Sequence, residues 1–144
     1  MAMASAPLDN LVRTGQLKAE PAAQPEIDGL MRSGQVRLKD AGNPANSLES
    51  RFDLAYNAAH ALSLGALRWH GYRSESRYIV FQSLAHTLKL PPEQWRVLDQ
   101  AHRKRNLAEY EGTLDIDEQL LAALIRVAGE VEKRLAALGP LLGR

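Results

Sequence analysis

Residues 46–72 read NSLESRFDLAYNAAHALSLGALRWHGY, and this stretch decides the class of fold. Leu48, Phe52, Ala55, Ala59, Leu62, Ala66 and Trp69 recur at threes and fours, which draws one apolar seam down one side of a helix. Leu54, Ala58, Ala61 and Gly65 form a second apolar line beside it. A helix apolar on two sides must be covered on two sides, and its alanines and glycine let the covering elements come close. Asn46, followed three residues later by Glu49, gives a capping-box-like start, and the helix is predicted to run to about Tyr72. It reads as the central member of an all-α bundle.

Working outward, a short first helix is predicted over about residues 8–14, ended by Gly15, and the stretch of about 17–24, with Pro21 and its alanines, reads as a linker. A second helix starts near Pro25 and presents Ile27, Leu30, Met31, Gly34, Leu38 and Ala41 on one face until Gly42, Asn43 and Pro44 stop it. Downstream, Tyr78-Ile79-Val80-Phe81 has strand-like composition, yet Tyr78, Phe81, Leu84 or Ala85, and Leu88 keep helical spacing, so Ser76–Leu88 is predicted helical. Pro91 and Pro92 open another helix that carries Trp95, Leu98 and Ala101 inward. A last helix is predicted from Asp115, with Glu118 three positions on, to Gly139-Pro140. No segment alternates apolar and polar residues over several turns, so no sheet is expected. The expected architecture is all-α: one domain over residues 1–144, an up-and-down helical bundle of four to five helices.

At 144 residues, 45% hydrophobic and 24% charged, the chain has the composition of one globular domain with an ordinary core. The formal net charge of +1 leaves no global field that would draw nucleic acid or an anionic membrane, so any such contact is local. The absence of cysteine removes disulfides, thiolate zinc sites, iron–sulfur clusters and a cysteine nucleophile. His60, His70, His86 and His102 form no HxH or HExxH pair, and neither a metal site nor a cofactor is expected. The residues from Met1 to Leu8 lack the apolar run of a leader, and no stretch nears the roughly 20 apolar residues that span a bilayer. A cytoplasmic location without membrane contact is the expectation.

Chemistry concentrates in Ala101-His102-Arg103-Lys104-Arg105-Asn106-Leu107-Ala108-Glu109-Tyr110-Glu111-Gly112. The plain reading of four successive potential cations is a solvated helix end, where the helix dipole favours positive charge by about 0.3–1 kcal/mol. Register argues for more. Leu98, Ala101, Arg105 and Ala108 fall on one inward-leaning stripe, so Arg105 occupies a place that apolar residues hold a turn earlier. His102, Arg105 and Asn106 share a face, and a guanidinium, an imidazole and an amide so placed could surround a phosphate. On the central helix Tyr56 lies at the edge of the seam, and Asn57 and His60 stand three apart. The Gly71–Arg77 loop could add cations to such a site; it reads more simply as a connector.

Two stretches resemble the HEPN domain family. Arg51-Phe-Asp-Leu-Ala-Tyr56-Asn57-Ala-Ala-His60-Ala-Leu is similar to that family's Tyr-x-Ala-x-His-Ala helix, and Arg105-Asn106-Leu-Ala-Glu-Tyr110 to its late Arg-Asn element. The resemblance covers most of the chain and implies a helical bundle that pairs into a homodimer, with the Arg motif facing a shared basic cleft. In nuclease members it implies metal-independent cleavage of RNA by an Arg followed after four to six residues by a His. Here no His follows Arg105, and Tyr110 stands in its place. A phenol with a reference pKa near 10 is poorly suited to moving a proton at neutral pH. A second literal match, Arg96 with His102, lacks the polar residue after the Arg. In non-nuclease members the resemblance implies a nucleotidyltransferase partner that can transfer an adenylyl group to a tyrosine in such a motif, which would make Tyr110 an acceptor.

The reading that combines these points is a module of a toxin–antitoxin or defence system that binds RNA, a nucleotide or a nucleotidyltransferase partner. Arg105, Asn106, Tyr110 and His102 form its centre, with Arg103, Lys104, Tyr56, Asn57 and His60 as further binding residues. One alternative is a metal-independent endoribonuclease toxin in which His102 replaces the missing His. Another is a non-catalytic interaction bundle.

Overall fold

The computed structural model describes residues 6–141. Residues 1–5, part of the stretch read above for a leader, and residues 142–144 lie outside the described residues. The chain is mostly helical, in the order α1 (Ala6–Arg13), β1 (Lys18–Ala19), α2 (Gln24–Ala41), α3 (Leu48–Trp69), β2 (Tyr72–Arg73), α4 (Arg77–Gln82), α5 (Leu84–Thr87), α6 (Pro92–Glu111) and α7 (Glu118–Ala137). Among the described residues no helix is long and apolar enough to cross a membrane.

Helix α3 is central, as its two apolar lines require. Phe52, Ala55, Ala59, Leu62 and Ala66 of the seam and Ala58, Ala61 and Gly65 of the second line are buried, and α2 and α7 pack most extensively against it. Two small residues permit this closeness. At Gly34 of α2 an added Cβ would lie 2.4 Å from Leu62 Cγ, and at Gly65 of α3 it would lie 3.0 Å from a Leu135 methyl of α7. The main core collects Phe52, Ala55, Ala59, Leu62 and Ala66 with Phe81, Leu84, Leu98, Ala101, Leu124, Val127 and Val131. A smaller core of Leu8, Leu17, Leu67, Tyr72, Ile79 and Val80 seats α1 on the far end of α3.

Several local expectations are corrected. The N-cap of α3 is Ser47, whose side chain accepts from the Ser50 N–H, while the Asn46 amide donates instead to Asp40 O. The cap of α7 is Asp117, which accepts from the Leu120 N–H at 2.7 Å, rather than Asp115. The helix expected over Ser76–Leu88 is broken into α4 and α5 at Ser83, whose buried hydroxyl donates to Ile79 O at 2.7 Å. Such back-bonding competes with the helix ladder and bends it. Tyr78 is not inward: it is 42% exposed, with its ring beside Trp95 and His102 of α6 at centroid distances of 6.4 and 6.2 Å.

The absence of a sheet and the linker assignment are corrected together. Lys18 and Ala19 pair antiparallel with Arg73 and Tyr72, and Glu20 N–H donates to Gly71 O at 2.8 Å. Arg68, only 1% exposed, holds this corner. Its Nε and one Nη2 bond engage the two Glu26 carboxylate oxygens at 2.7 and 3.2 Å, and its other donors reach the carbonyls of Glu20, Pro21 and Tyr72 at 2.7, 3.0 and 3.1 Å. All five donors of the guanidinium are engaged. Arg73 completes the cluster by bonding Glu20 and Glu26. The segment read as a linker is thereby tied to α3.

Candidate functional site

The site lies where α6 passes over the middle of α3. Leu98 and Ala101 bury the first half of α6, and beyond them the same face carries His102, Arg105, Asn106 and Glu109 out past the edge of the core. Below them is Tyr56 of α3, 2% exposed. Its ring stacks on Phe52 and meets Phe81 edge-on, with centroids 6.5 and 5.8 Å away, which fixes the ring and sends its hydroxyl toward α6. The Tyr56 hydroxyl lies 2.9 Å from His102 Nδ1, and the Asn106 amide nitrogen lies 3.1 Å from His102 Nε2. A neutral imidazole has one N–H and one lone pair; the Asn106 amide nitrogen can only donate, so Nε2 carries the lone pair and Nδ1–H donates to the Tyr56 hydroxyl oxygen.

Two guanidinium groups flank this chain. Arg77, in the first turn of α4 after the Ser76 cap, sits with its guanidinium carbon 5.3 Å from the Tyr56 ring centroid and donates to Asn57 Oδ1 at 2.8 Å. Asn57 is itself held by its amide, which donates to Asp53 O at 2.8 Å. The Arg105 guanidinium carbon lies 5.9 Å from the same centroid, and its Nε is 3.2 Å from Asp53 Oδ1. That separation makes an ion pair, but the N–H is not aimed at the oxygen, so Nε is buried without a hydrogen bond. Among the described residues the Arg105 side chain donates no hydrogen bond, while Arg77 donates to Asn57 and also interacts with the Tyr56 hydroxyl, leaving most of its donors unengaged. Tyr56, Arg77, His102, Arg105, Asn106 and Glu109 line an open depression of about 330 Å³.

The electrostatics follow from burial. Desolvation raises the Tyr56 phenol above its ordinary value, opposed by the positive charges of Arg77 and Arg105. Desolvation lowers His102, with Asp99 opposing and Arg77 assisting. His60 is pushed down to about 4, first by burial and then by Arg77. Both histidines are therefore neutral near pH 7.

The residues singled out in the sequence separate into two groups. His102, Arg105, Asn106 and Tyr56 meet in one depression, and Asn57 supports it through Arg77. His60 stands behind, edge-on to Phe81 at 6.1 Å, and does not line it. Arg103 points away, 3.0 Å from Asp99, and Lys104 pairs with Asp115 at the border of a different depression between α6 and α7. Tyr110 is 92% exposed near the end of α6 and lies outside the depression, as does the exposed Arg96. Arg77 closes the loop read above more simply as a connector, and that preference is corrected, since its guanidinium lines the depression; Asp53 and Glu109 were not singled out. The signal for Arg77 is its place at the first position of a helix, where a cation opposes the dipole and so calls for another role.

Among the described residues no group of three or more His, Asp or Glu side chains gathers where it could hold a metal ion. No protein-family model, curated protein or solved structure matches the chain.

Proposed function

We propose that the chain is a HEPN-like module of a toxin–antitoxin or defence system that binds RNA or a nucleotide through a phosphate group held in the depression over Tyr56. One observation carries the reading: Arg77 and Arg105 arrive from different helices on one phenol ring with most of their donors unengaged. Guanidinium forks match phosphate oxygens in pairs, and charge-assisted bonds of this kind are about twice as strong as neutral ones. Asp53 and Glu109 nearby balance the two cations formally, so recognition rests on directed donors rather than on net charge. Fluorescence anisotropy with a labelled oligoribonucleotide tests it. Arg77→Ala and Arg105→Ala should each weaken binding about tenfold or more, and unchanged affinity in both variants refutes the assignment.

A second reading, metal-independent cleavage, is favoured by the neutral His102 beside Arg105. With Nδ1–H donating to Tyr56, Nε2 carries a lone pair that could take the proton of a ribose 2′-OH once the exposed Asn106 swings aside. The 2′-oxygen would attack the adjacent phosphorus, the P–O5′ bond would break, and the leaving oxygen would take a proton from water, with Arg105 and Arg77 stabilising the charge that develops. Incubating total RNA with wild type, Arg105→Ala and His102→Ala in excess chelator decides it: fragments lost in both variants support cleavage, and intact RNA with wild type leaves the binding reading alone. The exposure of Tyr110 fits the partner reading, in which a nucleotidyltransferase transfers the adenylyl group of ATP to its hydroxyl with release of pyrophosphate; intact mass after coexpression reads that adduct. A homodimer, implied by the same resemblance, is read by light scattering.

A further inference from the structure

Glu109 is out of place in a phosphate site. It lines the same depression as Arg77 and Arg105, one turn beyond Arg105 on α6, and its charge reaches Tyr56. An Arg followed four residues later by a Glu is the weaker orientation of a helical pair, and among the described residues Glu109 forms no ion pair or hydrogen bond. A carboxylate facing an incoming phosphate repels it unless the ligand brings a donor for the carboxylate. In a nucleic acid strand the base-edge donors lie on the far side of the sugar, and the donor nearest the phosphate is the ribose 2′-OH. The rise of one helical turn, about 5.4 Å, suits the step from a phosphate to the sugar attached to it. The depression, about 330 Å³, is at the small end of the roughly 300–1,000 Å³ range of ligand sites, with room for a phosphate and the sugar attached to it.

We infer that Glu109 is a specificity-determining residue that accepts a hydrogen bond from a ribose 2′-OH, so that the depression takes a ribonucleotide phosphate and rejects its deoxy counterpart. The inference rests on the phosphate reading of the same depression. A 2′-deoxy strand would bring its phosphate to Arg77 and Arg105 while leaving Glu109 to face it with no donor between them.

The test compares two labelled oligomers of one sequence, ribose and 2′-deoxyribose, both carrying uracil so that only the 2′ position differs. Binding is followed by anisotropy for wild type, Glu109→Gln and Arg105→Ala, with circular dichroism confirming the helical content of each. Wild type is expected to prefer the ribo strand about tenfold, the worth of one hydrogen bond to a charged group. Glu109→Gln, which keeps an acceptor oxygen but loses the charge, should tighten the deoxy strand more than the ribo strand and narrow the ratio severalfold, and Arg105→Ala should weaken both strands alike. Equal affinities in wild type, with Arg105→Ala still weakening both, overturn the inference while sparing the phosphate reading. A Glu109→Gln variant that tightens both strands equally overturns it too, since that is charge removal alone. If neither strand binds wild type, both readings fall.

Discussion

Replacing Arg68 by methionine removes one buried cation and five hydrogen bonds without opening a large void, and its cost follows from what is left behind. The Tyr72 carbonyl loses a wholly buried hydrogen bond at 3.1 Å, worth about 0.5–1.5 kcal/mol. The Glu20 and Pro21 carbonyls are only partly buried, so water replaces much of what they lose, about 0.5 kcal/mol each. Glu26 keeps Arg73 at 3.1 Å and is itself about one-third exposed, so its loss is nearer that of a surface pair, up to about 1 kcal/mol. The sum is about 3 kcal/mol, and with a urea slope of about 2 kcal/mol/M the midpoint should fall by about 1.5 M. Arg105→Met and Arg77→Met, whose donors are mostly unengaged, should stay within about 0.5 kcal/mol of wild type. Acid adds a second check. Glu20 is held below its ordinary 4.5 chiefly by its bond to Arg73, and Glu26 chiefly by its bond to Arg68. A depressed folded-state pKa contributes stability above 4.5 that is lost as pH falls from there through the folded value, and Arg68→Met should flatten that loss. Urea titrations monitored by tryptophan fluorescence measure all three variants. An Arg68→Met midpoint within about 0.3 M of wild type, or below it by less than that of Arg105→Met, refutes the assignment of Arg68 as the structural arginine.

Gly34→Ala gains about 1 kcal/mol of helix propensity but forces a methyl to 2.4 Å from the fully buried Leu62, so overpacking at the upper end of about 1–3 kcal/mol wins and the melting temperature should drop by several degrees; Gly29→Ala in the same helix meets nothing within 4 Å and should raise it. A calorimetric scan showing both variants shifted upward rejects that packing. His60, neutral in the fold with a pKa of about 4, takes up a proton in the unfolded chain near 6.5, so stability should fall as pH is lowered from 6.5 toward 4, and urea midpoints across that window should be flatter in His60→Gln. His102 is likewise depressed, so oligoribonucleotide affinity should rise about fivefold as acid below pH 6.5 adds a third cation to the depression, and His102→Gln should abolish that rise in an anisotropy titration.

The central helix was readable because its two apolar lines repeat over six turns, and no other regular structure buries both. The α4–α5 break was not, because periodicity runs straight through Ser83 and only its burial makes the hydroxyl turn back on Ile79. The strand pair was hidden for a different reason. Two residues on each side carry no pattern of their own, and what aligns them is an arginine fifty residues away from the segment it holds. That arginine had a visible cue. Arg68 continues the line Leu54, Ala58, Ala61 and Gly65 by one more step of three, the same register argument that drew attention to Arg105.

Register alone cannot separate these two residues, since both stand where apolar side chains stood a turn earlier. The state of their donors does. Arg68 is sealed at 1% exposure with every N–H engaged by carboxylate and carbonyl oxygens, so it has nothing left to offer a ligand. Arg105 keeps about one-third of its side chain exposed, leans on Asp53 with poor alignment and shares Tyr56 with Arg77. An arginine held against an aromatic face with idle donors has low rotamer freedom to lose when a phosphate arrives, and that preorganisation makes binding cheaper than for a cation swinging in solvent. Of its sequence neighbours, Arg103 is such a solvent cation, paired with Asp99, and Lys104 is half-buried and turned to Asp115 between α6 and α7. The basic run is therefore one functional charge among companions that serve the helix surface, and the second cation of the site comes from α4, where only the packed fold brings it within reach.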